Sequence, residues 1–393
     1  MKIGIFTQPL CTNYGAILQN YALQQVLKSL GHQPVTLEKT LRVAPLPLWR
    51  QPLATLKRFC LNTVMHDKSV LAPFYEWRYN RSLPVVTQHT RGFMSKYVTS
   101  REYTTVTDIA PDDYDAFIVG SDQVWRPSYN FQSMQEMYLT FTQGWHVKRI
   151  AYAASLGTDR WELSPSDTAY YAPFVRQFDA VSVREQSATD LVERYFGVKA
   201  VHVLDPTMLL SRDVYVDLAR SQAPSPGSLM VHILDATEEI QQVAAAISKD
   251  FHLHPFSVSQ QYPETDLTVP VDKRIQPPVE QWLRGIMDAE VVFTDSFHAC
   301  VFAILFNKPL IAFCNLERGA SRFQSLLNMF GLEHSLIFSK SEYAADIIRN
   351  TDFSEVNQRL KSWRQRSMDF LTKALDTNPQ ICDGVKQTIA LLS

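Results

Sequence analysis

The chain of 393 residues is longer than the roughly 250 to 300 at which a single hydrophobic core stops growing, so two domains are expected. Its 38 Lys and Arg against 40 Asp and Glu leave a net charge of -2, which removes any global electrostatic reason to bind nucleic acid. Five scattered cysteines, none paired at metal spacing, argue against a disulfide framework or a structural zinc, and no uncharged apolar run approaches the ~20 residues of a membrane span. A reducing, cytoplasmic setting is expected, without a cofactor or a metal.

Residues 3–7 form a short apolar strand, and after the turn PLCTNYG the stretch 16–30 repeats apolar residues along one helical face. Gly31 ends that helix and 34–38 reads as the next strand, so the chain opens with a β-α-β unit. Asn13, Tyr14 and Gly15 fill the first strand-to-helix turn, with Gln19 one turn inside the helix. These are polar groups at the carboxyl edge of a sheet, although an Asn cap with a turn glycine is the plainer reading.

The stretch 39–66 carries five basic residues, no acidic ones, three prolines and Trp49. It reads either as a solvated irregular insertion, which is the simpler case, or as a flap or a surface that meets anionic lipid at the inner face of a membrane. The insertion extends to about 111, and 73–115 yields no element assignment. A buried strand follows at 114–120, and Ser121, Asp122 and Gln123 stand at its end with Trp125, either a flat surface for a sugar ring or simply core. Further strands are expected at 149–155, 180–184 and 200–204. Arg184 at the end of one of them must meet a carboxylate, for which adjacent Glu185 suffices, or a ligand anion.

The Pro/Ser/Gly stretch 221–228 has linker composition, and a second β-α series begins at 229. The domains are placed at 1–212, 213–375 and a helical tail 376–393 that packs back on the first. Within the second domain, EVVFTDSFHACVFAILFNKPLIAF at 290–313 reads as strand, helix, strand. Asp295 or Ser296 caps the helix and His298 falls in its first turn, where free N–H groups and the dipole suit an anion. A capped core helix with a satisfied histidine is an even alternative. Arg318, Gly319 and Arg322 come next, ahead of the helix expected at 323–330. A long helical pattern, 355–375, is a candidate to cross back to the first domain, and 385–392 closes the chain with a short helix. The sequence holds no GxG pair, no GxxxxGK loop, no GxSxG elbow and no HExxH site, which weakens redox, kinase-like and zinc-hydrolase readings.

Seven stretches resemble the polysaccharide pyruvyl transferase family. They are NYGAILQNYALQQVLKSLGH at 13–32, DAFIVGSDQVWRP at 115–127, YAASLG at 152–157, SVRE at 182–185, VLDPTMLL at 203–210, TDSFHACVFAILFNKPLI at 294–311 and RGASRFQSLLNMFGL at 318–332. They stand in family order over most of the chain, outside the insertion and the tail. The resemblance implies an α/β fold of two Rossmann-like doubly wound domains facing across a cleft, the GT-B-like glycosyltransferase architecture. It implies a transferase of polysaccharide or exopolysaccharide biosynthesis that moves the enolpyruvyl unit of phosphoenolpyruvate onto two hydroxyls of a sugar. The product would be a pyruvate ketal, with release of phosphate.

On that expectation His298 delivers a proton or steadies the leaving phosphate, and Asp122 is the candidate base. Arg184, Asp295, Ser296, Arg318 and Arg322 hold the donor, while Asn13, Tyr14, Gly15, Gln19, Gln123 and Trp125 line the acceptor side. The acceptor would be a sugar, an oligosaccharide or a lipid-linked saccharide. One departure is that some relatives carry an arginine where this chain has Ser296, so either part of the donor-anion contact comes from elsewhere, with Arg318, Arg322 or Lys308 as substitutes, or the donor differs. A nucleotide-sugar glycosyltransferase on the same scaffold and a catalytically silent carbohydrate-binding protein are the competing readings.

Overall fold

A computed structural model describes residues 1–40, 49–61, 74–314, 319–349 and 351–376. Seven parallel strands form the first sheet: β1 (Lys2–Phe6), β2 (Gln33–Lys39), β3 (Ser100–Tyr103), β4 (Ala116–Val119), β5 (Lys148–Ala154), β6 (Ala180–Val183) and β7 (Val201–His202). Their spatial order is β3-β2-β1-β4-β5-β6-β7. The second sheet holds β8 (Leu229–His232), β9 (Pro255–Phe256), β10 (Val291–Thr294), β11 (Leu310–Phe313) and β12 (Leu336–Ile337) in the order β12-β11-β10-β8-β9. Strands such as AFIV, VVFT and LIAF are buried along their whole length because helices cover both faces of a parallel sheet. These are two doubly wound domains, as expected.

Each sheet changes winding direction at one place, between β1 and β4 in the first and between β8 and β10 in the second. A crevice opens there beyond the carboxyl ends of the strands. β1 leads into the helix Tyr14–Ser29 and β10 into the helix Phe297–Leu305, and the first turns of the two helices meet. A Cβ built on Gly15 would lie 2.0 Å from His298 Nδ1. The two switch points therefore share one seam.

The helix Phe297–Leu305 is buried at every position, which explains why FHACVFAIL lacks a polar face. It packs against Tyr215 from the segment that leaves the first sheet (rings 4.9 Å apart) and against Trp282 from the second domain (5.4 Å). Tyr14 adds a pin across the seam, since its hydroxyl donates to the Pro277 carbonyl at 2.9 Å and its ring stacks on Trp282 at 5.3 Å.

The stretch that resisted assignment contributes helices Tyr75–Val86 and Gln88–Tyr97 before β3 joins the sheet beside β2. The helix Phe353–Leu375, included at the sequence level in the second domain, crosses to the first sheet. Arg364 donates to the carbonyls of Met208 and Leu210, and the Leu204 amide donates to Ser367 Oγ. The closing helix expected at 385–392 lies outside the described residues, as does Arg318. Among the described residues no helix is long and apolar enough to cross a membrane, and no group of three or more His, Cys, Asp or Glu could hold a metal ion.

Candidate active site

Between the domains lies a cleft of about 620 Å³. Its first-domain wall includes Asn13, Tyr14, Gly15, Asp122, Gln123 and Tyr129. The second domain contributes His232, Asp295, Ser296, His298 and Arg322.

The electrostatic centre is Arg184, which follows β6 and is 3% exposed, a burial a guanidinium tolerates only when its charge is met. Its Nη2 donates to Asp122 Oδ1 at 3.0 Å and its Nη1 to Asp205 Oδ2 at 3.0 Å, while Glu185 Oε1 stands off at 3.6 Å. These partners come from the ends of β4 and β7, so three strands of one sheet converge on one cation. Across the seam the guanidinium lies 4.1 Å from the centroid of the Phe297 ring, a cation–π contact that ties Arg184 to the helix bearing His298.

His298 is buried, with Nε2 3.4 Å from Asp205 Oδ2 but outside hydrogen-bond geometry. The other oxygen of Asp205 accepts from the Thr207 amide (3.1 Å) and hydroxyl (2.7 Å), so that carboxylate is fixed from its own loop. Burial alone would raise the Asp205 carboxyl, but His298 and Arg184 outweigh it and hold it well below the usual carboxylate range. Asp122 is likewise kept low against burial by Arg184, then His298 and Arg322. Glu185 goes the other way, pushed up by burial, and bonds to the Ser155 hydroxyl and the Leu156 amide.

Arg322, in the first turn of the helix Ser321–Phe330, brings a second buried guanidinium to the cleft wall. Its pKa is depressed first by burial and then by Arg184, so an incoming anion would relieve both penalties. The helix Phe297–Leu305 starts beside it, and Ser296 at the N-cap position makes no side-chain capping bond. First-turn N–H groups therefore face the same space.

The family model described as polysaccharide pyruvyl transferase matches residues 13–315, which include the helices that follow β1 and β10 and every side chain of the site described above except Arg322. The chain belongs to this family. It is accordingly a transferase. Among curated proteins none matches the sequence.

The chain is also similar to solved structures at low identity. The UDP-GlcNAc 2-epimerase from Neisseria meningitidis bound to UDP-GlcNAc is 10% identical, covering 96% of this chain and 100% of its own, with a TM-score of 0.47. An Arabidopsis thaliana protein complexed with UDP-L-rhamnose is 10% identical, covering 100% and 99%, with a TM-score of 0.48. The O-GlcNAc transferase from Thermobaculum terrenum is 12% identical, covering 95% and 66%, with a TM-score of 0.45.

Within this family member the residues singled out from the sequence fall into two groups. Asn13, Tyr14, Gly15, Asp122, Gln123, Asp295, Ser296, His298 and Arg322 reach the cleft, with Arg184 directly behind it. Trp125 and Gln19 do not, and their expected contact with the acceptor is corrected. Trp125 is 0% exposed, its indole donating to the Met137 carbonyl and its ring stacked on Tyr138, so it has no face left for a sugar. Gln19, also 0% exposed, is a brace between β1 and β4: it donates to Thr7 Oγ1 and accepts from the Ser121 amide.

Three further assignments shift in detail. Asp122, the expected base, has little proton affinity while it pairs with Arg184, which makes it an anchor for that cation. Asp295 turns its carboxylate to the amides of Leu234 (2.7 Å) and Asp235 (2.9 Å), tying the loop after β8 to the end of β10. Asn13 caps its helix by accepting from the amides of Gly15 and Ala16.

Sequence reasoning passed over Asp205, which directly follows the strand expected at 200–204, and the cleft residues Tyr129, His232 and Tyr262. Tyr129 is 52% and Tyr262 44% exposed, so these rings, rather than Trp125, present flat apolar surface to the cleft. Burial pushes His232 down to about 4, leaving a neutral ring whose Nδ1 accepts from Trp282 Nε1.

Proposed function

We propose that the protein transfers the enolpyruvyl unit of phosphoenolpyruvate to two hydroxyls of one sugar in a polysaccharide or its precursor, forming a pyruvate ketal and releasing phosphate. Family membership supports the reaction class. The observation that carries the assignment to this cleft is the meeting of the uncapped helix N-terminus at Ser296 with Arg322 and His298 at the mouth of the buried Arg184 array.

Phosphoenolpyruvate is a small trianion with a phosphate and a carboxylate, and both need donors fixed before the reaction. First-turn amides and the Arg322 guanidinium supply them from the second domain. Arg322 stands where the chain, lacking the arginine some relatives have at Ser296, needs a cation. The His298 imidazole takes the proton of the first attacking hydroxyl and returns it to the methylene carbon, which becomes the methyl group as the first C–O bond forms. The second hydroxyl then displaces phosphate, and its proton leaves with that phosphate. Two O–H bonds, the C=C π bond and the C–O bond to phosphate break; two C–O bonds, one C–H bond and one O–H bond on the released phosphate form, and no oxidant is consumed. Tyr129 and Tyr262 provide stacking surface for the acceptor ring.

His298→Ala tests this reading: the variant should keep the far-UV spectrum and melting behaviour of the native chain. It should lose on the order of a hundredfold or more of acceptor-dependent phosphate release from phosphoenolpyruvate, the loss expected for a general acid–base group. Near-native turnover would remove the imidazole from the reaction. Mass spectrometry of galactosides, mannosides and lipid-linked repeats after incubation reads the transfer directly as a gain on the sugar.

A further inference from the structure

The helix Gln51–Phe59 is amphipathic in the wrong direction for a globular protein. Its partly covered positions are Gln51, Ala54, Thr55 and Arg58, whereas Trp49, Leu53 and Leu56, spaced four and three residues apart, are 74%, 75% and 61% exposed. Phe59 adds a ring that is 50% exposed. An apolar helical face that the fold leaves outside marks an interaction surface.

The helix Tyr75–Val86 continues it. Arg58 donates to both oxygens of Glu76 at 2.9 Å, joining the two helices side by side. On the outer face of the second, Phe74 (61%), Trp77 (63%) and Val85 (40%) are exposed around Arg81. The patch is basic as well as apolar. Arg50, Lys57, Arg58, Arg78 and Arg81 lie on these two segments against one acid, Glu76, which Arg58 already neutralises. Two of the cations lie over indoles, Arg50 4.4 Å from the Trp49 ring and Arg81 5.2 Å from that of Trp77. Tryptophan beside arginine, with exposed leucines on the same face, is the arrangement of a helix at the depth of lipid headgroups, where the indole bridges the polar and apolar zones and the cation meets phosphate.

We propose that this face docks on an anionic lipid bilayer. Its partner is the membrane surface itself, recognised by negative headgroups and by the apolar layer beneath them. The patch also adjoins the cleft: Arg78 donates to the Leu267 carbonyl and the Gln276 amide to the Val86 carbonyl, so the same helix holds the segment that follows the cleft-lining residues Tyr262 and Pro263. Docking there would bring the cleft mouth to the membrane, where a lipid-linked saccharide is presented. The surface stands on its own geometry and does not depend on the donor chemistry proposed above.

Flotation of the full chain with phosphatidylcholine vesicles, with and without phosphatidylglycerol, tests the proposal. The native chain should float with the anionic vesicles, be released by high salt and stay behind with neutral ones. Leu53→Ser with Leu56→Ser should weaken binding more than about tenfold, since both side chains are already in water and only the lipid contact is lost. Arg50→Gln and Arg81→Gln should each weaken it about fivefold. Activity on a soluble acceptor should be unchanged in all of them, which separates failure of this surface from failure of the catalytic reading. Absence of flotation at any phosphatidylglycerol content, or equal flotation of the Leu variants, overturns the proposal. So does a self-association of the native chain that the same substitutions abolish without any effect on vesicles.

Discussion

Gly15 shows how tightly the centre is packed at the scale of single residues. In the first turn of a helix, Gly→Ala ordinarily adds up to about 1 kcal/mol of stability, because alanine loses less backbone entropy on folding. Here the added methyl would lie 2.0 Å from Nδ1, 2.3 Å from Cγ and 2.8 Å from Cβ of His298, so the imidazole must leave the position it holds beside Asp205. Gly15→Ala is therefore expected to cut turnover at least about tenfold, with a melting temperature at or below that of the native chain, an opposite sign to the propensity effect. Parallel phosphate-release and thermal-melt measurements check both parts. Asp205 illustrates the same economy, because one carboxylate meets Arg184, Ser121 and Thr207 and lies beside His298. Sequence inspection gave Arg184 its neighbour Glu185 as the simplest partner, whereas the two carboxylates at 3.0 Å are 62 and 21 residues away. Pairing of that kind is set by which strands end side by side, and no local pattern records it.

At the scale of elements, the two helices that leave β1 and β10 position almost everything in the cleft. Their strands were legible because short apolar β-branched runs bounded by polar turns have few other uses in a long α/β chain. The helix starts were legible to within two residues, since Asn13 caps the first, and the turn residues around them were identified as the polar edge of each sheet. Direction was not legible. Trp125 and Gln19 follow the same strand ends as Asp122 and Asn13 but point into the protein, a choice made by tertiary packing. The Tyr75–Val86 region escaped assignment because Trp77 and Val85 face outward while only Leu83 and Val86 of the first helix and Phe93 and Met94 of the second are buried apolar residues, too few to mark a continuous stripe. The contact between elements across the seam can be tested at Tyr14. Tyr14→Phe keeps the stack on Trp282 but leaves the Pro277 carbonyl without its donor, and should cost about 1 kcal/mol in urea unfolding. An unchanged midpoint would mean the hydroxyl adds nothing to the join between domains.

On the scale of the whole molecule, two buried histidines make stability depend on pH. His202, bonded to the Arg184 carbonyl and to Gln186, and His232, packed on Trp282, are each pushed from the ordinary 6.5 down to about 4 by burial. Both are neutral in the folded chain at neutral pH, while the unfolded chain takes up protons on them near 6.5. Their contribution is therefore complete above the unfolded value and is lost as pH falls from there to about 4, by up to roughly 3 kcal/mol for each ring. Urea midpoints measured across that interval should decline steadily, and His232→Gln should flatten the decline. A curve unaffected by the substitution would remove His232 from the acid sensitivity and leave His202 as the ring to replace next, since the Asp205 and Asp122 carboxylates, held below their ordinary range, contribute only at lower pH.

The passage of the helix Phe353–Leu375 back onto the first sheet means that the backbone joins the two halves twice, once near the end of β7 and again after β12. A body attached at two points swings about the line through them and resists twisting about any other, as a door does on a pair of hinges. The gap between the sheets should then widen or narrow along one path only, so that Arg322 and His298 approach the Arg184 array in the same alignment at each turnover.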